Sequence, residues 1–343
     1  MKALIKYASG SGNMEIRDIP EPSAKAGQIK IKVEWSGICG SDLHIYHSDI
    51  AIPVRPPVAA GHEFSGTITE IGSGVKGFSL GQRVVSETAY EYCGVCDYCT
   101  EGYYNLCSKR RTLGYWFNGI FAPYTVVPAG RVHLLPDNVS DIEGAMTEPL
   151  ACVCHAVYDL TKIQPGDLVL VSGPGAIGIM AAQVAKAHGA RVIIAGIERD
   201  LPRLELAKKL GAYMAVNLER ENLEEIVMSK SRGYGADAVL ECSGSEAGID
   251  SAVNLVKKRG YVTLVGLAGK KISFDVEKVC YKEIKLTGSL GSRKSSWHHA
   301  LSLLENKQVC LEPLADVRLP LDKWKDAFER FEAKDGTKFF LKP

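Results

Sequence analysis

The sequence has 343 residues, which is enough for two domains of ordinary size. Its 41 basic and 40 acidic side chains leave a formal charge of +1, so we expect no nucleic acid among its partners. The first seven residues alternate like a strand, and no apolar run is long enough for a signal peptide or a membrane span. We therefore expect a cytoplasmic protein without a membrane partner, whose ten cysteines do not form disulfides.

The first 145 or so residues are β-rich. Short runs such as Ile29–Val33, Gly66–Ile71 and Arg83–Val85 alternate apolar with polar residues and are separated by glycine and proline. A domain built mainly from strands is predicted here.

Cys39 in this region is followed, on a later segment, by His62 and Glu63. A thiolate and an imidazole from separate loops suit a catalytic zinc, which keeps one position open. Neighbours on a strand point to opposite faces, so Glu63 reaches the same metal only at a turn and is otherwise an outer carboxylate. Taken alone, such a pair is more typical of a buried cysteine and a structural histidine.

A second cluster consists of Cys93, Cys96, Cys99 and Cys107, with intervals of two, two and seven residues. Such spacing places four thiolates around one tetrahedral Zn²⁺. Four sulfurs leave no open position, so the site predicts a structural zinc that holds the loop from about 90 to 110.

Glu148 lies where the β-rich texture gives way to alternating strands and helices. Clefts form at such domain junctions, so Glu148 is a candidate for the catalytic site. Cys152 and Cys154 follow it in a stretch rich in Ala and Val, which is typical of small core residues rather than of metal ligands.

A strand, a glycine turn and a helix follow at Asp167–His188, and the strand Arg191–Ala195 completes a βαβ unit. The first glycine of the turn permits a tight bend, the second lets the backbone approach a pyrophosphate, and the third lets the helix pack on the strand. This pattern predicts a dinucleotide site made by Gly173, Gly175, Ala176, Ile177 and Gly178.

The chain after this unit keeps alternating. Further strands are predicted at Ala212–Val216, Ala238–Cys242, Tyr261–Gly266 and Ile284–Thr287, with helices at Leu223–Ser229 and Ala247–Lys257. Helices around Trp297–Leu304 and Lys323–Phe331 and a strand at Thr337–Leu341 end the chain. The fold class predicted is α/β, with a doubly wound parallel sheet.

Cofactor choice depends on the end of the second strand of the βαβ unit. NAD enzymes usually place an acid there to bind the ribose, but this sequence has Gly196. Arg199 is close enough in sequence to bind a 2′-phosphate, which favours NADP or dual use. Two alternatives stay open: Glu198 binds the ribose and restores NAD preference, or both charges belong to a solvated helix start.

These motifs, in this order, resemble the zinc-dependent medium-chain dehydrogenases, and within them the polyol (sorbitol-type) and threonine dehydrogenases. The resemblance runs nearly end to end. It implies a GroES-like catalytic domain at 1–146 and 290–343 and a Rossmann domain at 147–289. It also implies a homodimer or homotetramer formed through the edge of the Rossmann sheet.

The resemblance implies roles for individual residues as well. Cys39, His62 and Glu63 match catalytic zinc ligands, and Glu148 matches a carboxylate that binds this zinc directly or through water. Ser41 and His44 match the proton relay of the family. Ser243 resembles part of a loop beside the nicotinamide, and Gly266 is placed in the cofactor site with it.

Two segments depart from the family pattern. A stretch that forms a wall of the substrate pocket in the family reads Asn118–Tyr124 here, with isoleucine and proline at altered positions. An Arg-Tyr pair of the polyol enzymes becomes Arg293 and Lys294, which removes an aromatic ring.

The predicted activity is oxidation of a secondary alcohol, in a polyol or a related amino alcohol, with two Zn²⁺ per chain and NAD(P) as hydride acceptor. A threonine 3-dehydrogenase activity is one alternative. A protein that binds NAD(P) and zinc to sense redox state without turnover is a second. A metal-independent quinone or enone reductase is a third, and it leaves Cys39 and His62 without a role.

Overall fold

The computed structural model describes residues 1–343, and the chain divides into two compact units. The first unit comprises Met1–Pro149, Arg293–Glu305 and Leu311–Pro343. The second comprises Leu150–Ser292 and Asn306–Cys310. Along the chain, the second unit is therefore an insertion into the first.

The strands and helices follow one another as the alternation of the sequence predicts. The strands are β1 (Lys2–Lys6), β2 (Met14–Asp18), β3 (Gln28–Gly37), β4 (Val58–Ala59), β5 (Glu63–Ile71), β6 (Arg83–Ser86), β7 (Ala89–Glu91), β8 (Arg111–Thr112), β9 (Tyr124–Pro128), β10 (Val132–Leu134), β11 (Leu168–Ser172), β12 (Arg191–Gly196), β13 (Met214–Asn217), β14 (Ala236–Glu241), β15 (Val256–Leu264), β16 (Lys285–Gly288), β17 (Val317–Pro320) and β18 (Phe339–Lys342). The α-helices are α1 (Gly40–His47), α2 (Asp97–Thr100), α3 (Asp141–Ala145), α4 (Thr147–Cys154), α5 (Ala176–Ala187), α6 (Leu201–Lys209), α7 (Leu223–Lys230), α8 (Glu246–Leu255), α9 (Glu277–Tyr281), α10 (Lys294–Glu305) and α11 (Trp324–Glu332).

The main sheet of the first unit has the order β10-β6-β5-β3-β18-β17, and β9 also pairs with β3. Ile29, Ile31 and Val33 of β3 alternate toward a buried apolar core. Side chains of β5, β18 and α11 complete this core. The β-rich prediction for the first 145 residues is thus confirmed.

The register of this sheet brings the ends of two strands together. Gly37, the last residue of β3, pairs with Glu63, the first residue of β5. The chain continues from Gly37 to Cys39 and arrives at Glu63 from His62. Antiparallel pairing therefore places Cys39 and His62 at one end of the sheet, although 22 residues lie between them in the sequence.

The second unit contains a six-stranded sheet of order β13-β12-β11-β14-β15-β16, in which every pairing is parallel. This is the doubly wound order, with its topological switch point between β11 and β14. The α/β fold class is confirmed.

One boundary in this unit was predicted wrongly. The helix expected to run to Lys257 ends at Leu255, and β15 begins at once with Val256, which is extended and buried. The early start pairs Val256 with Ala236, and a register shift follows before Tyr261 pairs with Ala238. Burial of Val256 in the core thus ends the helix earlier than the local pattern indicated. No helix of the structure is long and apolar enough to cross a membrane.

Candidate zinc and cofactor sites

The first candidate centre lies at the end of β3 and β5. Cys39, His62 and Glu63 each offer a ligand atom there, and these atoms all lie within 4.8 Å of one another. His62 and Glu63 are buried, and Cys39 is partly buried. Sulfur, nitrogen and carboxylate oxygen form a donor set that suits Zn²⁺ and leaves a fourth position for another ligand.

Asp42 stands behind His62 in this centre. Its Oδ1 lies 3.7 Å from His62 Nδ1, and its Oδ2 accepts a hydrogen bond of 2.9 Å from the Cys39 amide. A carboxylate on one ring nitrogen orients a histidine so that the other nitrogen faces a metal. Asp42 therefore holds the start of α1 through a hydrogen bond and faces His62 as an ion-pair partner, without a hydrogen bond between Oδ1 and Nδ1.

The electrostatic field around His62 favours a positive charge on its ring. Burial by itself lowers the pKa of His62, but the negative charges of Asp42 and Cys39 outweigh it and raise this pKa to about 10. Glu148 acts in the same direction on His62. Metal ions and protons compete for such a site, so the field that holds a proton on His62 also attracts a divalent cation.

Glu148 lies in the first turn of α4 and is mostly buried. It is outside the group of atoms that lie within 4.8 Å of one another. Its charge nevertheless contributes to the raised pKa values of His62, Tyr115 and Lys338. The structure thus brings Glu148 to the neighbourhood of the centre, outside the three-residue group.

The two residues expected to relay protons occupy different surroundings. The Ser41 hydroxyl oxygen is buried and makes no hydrogen bond of normal geometry, although its proximity to Tyr115 acts to lower the pKa of that phenol. His44 lies on the outer side of α1, with 40% of its side chain exposed, and its Nδ1 is 2.9 Å from Asp49 Oδ1. A buried polar atom that is weakly paired costs free energy, so Ser41 is a candidate to bind a further polar group.

The second candidate centre is the loop of four cysteines. Cys93 Sγ lies 3.8 Å from Cys99 Sγ and 3.6 Å from Cys107 Sγ, and all four cysteines form one group with Cys96. Sulfurs bound at 2.3 Å to one tetrahedral zinc are about 3.8 Å apart. Disulfide sulfurs are about 2 Å apart. The loop therefore has the dimensions of a Zn-thiolate site.

A buried polar network holds this loop against the first unit. The Glu87 carboxylate accepts hydrogen bonds from Tyr104 in the loop and from Arg131, and it is 3.0 Å from His133 Nε2. The Tyr104 ring stacks on Tyr92 at 4.7 Å, with Arg131 over both rings. Burial by itself raises the pKa of Glu87, but the bonds from His133 and Tyr104 outweigh it and lower this pKa.

The glycine turn of the second unit leaves open space beside its backbone. Gly173 has a φ of 92°, and a Cβ there would lie 2.8 Å from Ser243 Cα. A Cβ on Gly178 would lie 1.9 Å from the Gly173 carbonyl oxygen, whereas a Cβ on Gly175 meets nothing within 4 Å. Ala176 and Ile177 begin α5, whose N-terminus is directed at this space. The arrangement matches a pyrophosphate site.

The strand ends next to this turn carry the other candidate residues. Gly196 ends β12, and Ser243 and Gly266 follow β14 and β15. Glu241, buried at the end of β14, accepts hydrogen bonds from the Ser243 and Gly244 amides. Parallel strands end at one edge of a sheet, so these residues share the edge where dinucleotides bind.

The two charged residues after Gly196 differ in their contacts. The Glu198 carboxylate accepts hydrogen bonds from Asn217 and Arg220, and the bond from Arg220 is the main cause of its lowered pKa. Arg199 is exposed and makes no side-chain hydrogen bond or ion pair. The basic group is therefore available to a ligand, whereas the carboxylate is already engaged.

Comparisons with known proteins agree with this geometry. Residues 25–137 match the alcohol dehydrogenase GroES-like domain, and residues 176–306 match the zinc-binding dehydrogenase family. A sorbitol dehydrogenase of Halalkalibacterium halodurans is 45% identical over 100% of this chain and 99% of its own length. A D-arabitol-phosphate dehydrogenase of Enterococcus avium is 39% identical over 96% of this chain and 94% of its own.

A solved structure shows the same agreement. The zinc-binding dehydrogenase of Sinorhizobium meliloti 1021 bound to NADP has a TM-score of 0.90 and 30% identity, covering 100% of this chain and 99% of that one. The chain belongs to the zinc-binding alcohol dehydrogenase family. As a member of this family it is an oxidoreductase of alcohols that uses zinc and a nicotinamide cofactor. The resemblance noted from the motifs is confirmed, and a redox sensor without turnover is not favoured.

Both segments that depart from the family pattern make contacts that support the structure of this dehydrogenase. Asn118 Oδ1 accepts a hydrogen bond of 3.0 Å from the Ala59 amide, and Ile120 and Phe121 pack against Gly61. They therefore support the backbone before His62. Arg293 lies over the Tyr103 ring at 4.3 Å, so it contacts the four-cysteine loop.

Sequence reasoning missed several buried groups of this dehydrogenase. Asp42 had a local signal, because an acid three residues after Cys39 is typical of a helix start. Tyr115, whose ring centroid is 5.7 Å from that of His62, had none. Lys338, which binds Glu63 from a segment far away in the sequence, and Glu241 also had no local signal.

Two alanine variants of the glycine turn test the phosphate site. Gly178→Ala forces a methyl group onto the Gly173 carbonyl, so we expect a loss of about 1–3 kcal/mol in unfolding free energy. Gly175→Ala meets no protein atom but fills the space of the phosphate, so we expect native stability and roughly tenfold weaker cofactor binding. Thermal unfolding and fluorescence titration measure both effects. Native affinity in a folded Gly175→Ala would contradict the site.

Proposed function

We propose that the protein is a zinc-dependent polyol dehydrogenase, which oxidises a secondary alcohol of a sugar alcohol or related compound and transfers hydride to NAD(P). The observation that carries this proposal is the group of partly buried Cys39 with buried His62 and Glu63, whose three donors leave a fourth zinc position for a further ligand. The two relatives named for sorbitol and D-arabitol phosphate support the substrate class. An L-threonine 3-dehydrogenase of Yersinia pestis is also similar, at 35% identity over 99% of this chain, but both polyol relatives are more similar, so the threonine alternative is not favoured.

In this proposal, Cys39, His62 and Glu63 hold the catalytic zinc, and Glu148 is a carboxylate that binds it directly or through water. The zinc supplies a Lewis acid that makes the substrate hydroxyl more acidic. Asp42 keeps His62 in the required orientation. The buried Ser41 hydroxyl accepts the proton of the substrate as it releases its own toward His44 and solvent.

A substrate panel tests the activity. Sorbitol, other sugar alcohols, D-arabitol phosphate, L-threonine and simple primary alcohols are each offered with NAD and with NADP, and the reduced cofactor is followed by absorbance. We expect the highest kcat/KM with a polyol that carries a secondary hydroxyl. Turnover of L-threonine alone would make the protein a threonine dehydrogenase, and turnover of none would refute the assignment.

The metal content is a separate prediction. We expect two Zn²⁺ per chain, because two groups of ligands with different geometry occur. Cys39→Ser should lose one zinc and all activity while keeping the fold. Cys96→Ser should lose the other zinc and unfold the loop from about 90 to 110, because structural zinc contributes directly to folding. Metal analysis with one zinc in the native protein, or turnover by Cys39→Ser, would contradict this.

The relay is tested with two histidines of one helix. His44→Ala should lower kcat by roughly ten- to a hundredfold, most strongly at acid pH, where removing the hydroxyl proton is hardest. His47→Ala is the matched control, because His47 is also partly exposed on α1 and also pairs with one carboxylate, that of Glu332. Identical pH profiles of the two variants would show that His44 has no part in proton transfer.

Cofactor preference follows from Arg199 and Glu198. We propose use of NADP or of both cofactors, because Arg199 is free to bind a 2′-phosphate while Glu198 is engaged by Arg220. Arg199→Ala should lower kcat/KM for NADP by roughly ten- to a hundredfold and leave NAD as the internal control. A strong NAD preference that collapses in Glu198→Ala would instead make Glu198 the ribose ligand.

The proposal extends to assembly and location. We infer a homodimer or homotetramer through the sheet edge at β16, which pairs only with β15. Light scattering that finds a monomer would contradict this.

A cytoplasmic location is inferred because thiolate zinc sites need reduced cysteines. We take 1–146 with 290–343 as the catalytic domain and 147–289 as the Rossmann domain.

A further inference from the structure

Lys338 is a buried lysine inside the Cys39 centre. It lies just before β18, is 4% exposed, and is separated from Glu63 by 275 positions in the sequence. Its Nζ donates a hydrogen bond of 2.9 Å to the Ile38 carbonyl and another to Glu63 Oε2. Glu63 is 1% exposed. Both charges of this ion pair are thus removed from water.

A buried ion pair is stable only if each charge compensates the other. Burial by itself lowers the pKa of Lys338, but the negative charges of Glu63 and Cys39 outweigh it and raise this pKa. Loss of one partner would leave a buried charge uncompensated, which is far more costly than loss of an exposed pair. The pair is therefore a firm connection rather than a surface contact.

The neighbouring backbone is shaped around this pair. Phe340 of β18 pairs with Gly37 of β3, and Gly37 pairs with Glu63 of β5. A Cβ on Gly37 would lie 2.5 Å from Glu63 Oε2 and 3.4 Å from Lys338 Cε. Because Gly37 has no side chain, the end of β3 leaves space for the Glu63 carboxylate.

The two acceptors of Lys338 belong to the two segments that carry the zinc ligands. Ile38 immediately precedes Cys39, and Glu63 immediately follows His62. One ammonium group therefore fixes the distance between both segments. It also holds Oε2 of Glu63 toward itself, which leaves Oε1 as the oxygen that is free of this ion pair.

We propose that Lys338 is a positioning residue of the catalytic zinc site, which clamps the Cys39 and His62 segments together and controls the orientation of Glu63. This inference rests on the proposed function, because it assumes zinc at Cys39 and His62. Without the clamp, the ligand segments separate more easily and the Glu63 carboxylate turns freely, so the bound metal leaves faster.

Zinc release tests the clamp. The zinc-loaded protein is mixed with an excess of a chromogenic chelator, and release from the two sites is followed over time. The Cys39→Ser variant identifies which phase belongs to the catalytic site. Outer groups that orient metal ligands typically change metal affinity by 10- to 100-fold. We expect Lys338→Met to accelerate the catalytic phase by roughly this factor and to leave the four-cysteine phase unchanged.

Two controls separate the clamp from a general effect of the strand. Lys342→Met removes the other lysine of β18, which pairs with Glu34 at 3.2 Å on the surface, and should release both zincs at native rates. Lys338→Arg keeps a cation with several donors and should restore most of the slow release. If Lys338→Met does not fold, Lys338→Gln is measured by the same criterion, since its amide keeps a donor without the charge.

The possible results are distinct. A native protein without zinc at Cys39 overturns the proposed function and this inference with it. A native protein with both zincs, in which Lys338→Met or Lys338→Gln releases the catalytic zinc at the Lys342→Met rate, overturns the clamp alone. Faster release in Lys338→Arg to the same extent as in Lys338→Met would also overturn it, because the charge would then have no role.

Discussion

The centre formed by Cys39, His62 and Glu63 depends on a balance of charge at one buried end of the main sheet. Four acidic side chains meet there: Cys39, Asp42, Glu63 and Glu148. Lys338 and His62, whose pKa values are both raised by these acids, supply the compensating positive charge within the protein. Desolvated anions at this density are tolerated only beside cations, so this end of the sheet has a charge that suits a bound divalent cation. Fold stability and metal chemistry share this one requirement.

The two cysteine-containing centres meet the needs of zinc in opposite ways. The four-cysteine loop is local, closed and partly exposed, and it is anchored through Tyr104 to the buried Glu87 network. The Cys39 centre gathers ligands from separate strands, and its backbone is held by Asp42 and Lys338. A closed thiolate site supplies stability, whereas an open mixed site leaves room for a reacting group. Only the second centre is suited to chemistry.

In the second unit, steric limits rather than charge organise the cofactor turn. Gly173 and Gly178 face backbone atoms so closely that no side chain fits, while Gly175 faces empty space. The same edge of the sheet carries Arg199 without an internal partner and Glu198 with two. The turn therefore has the shape that suits a dinucleotide pyrophosphate, and the charges after β12 lie where a 2′-phosphate would distinguish NADP from NAD.

Local patterns in the sequence determined the fold class, the glycine turn and the four-cysteine loop, because each depends on residues close together in the chain. The same patterns pointed to Cys39, His62 and Glu63 as a possible centre, although their proximity required the pairing of β3 with β5. Only the tertiary structure decided that Lys338 binds Glu63 and that Arg220 engages Glu198. Contacts between distant segments are set by strand register and burial, and neither leaves a local mark in the sequence.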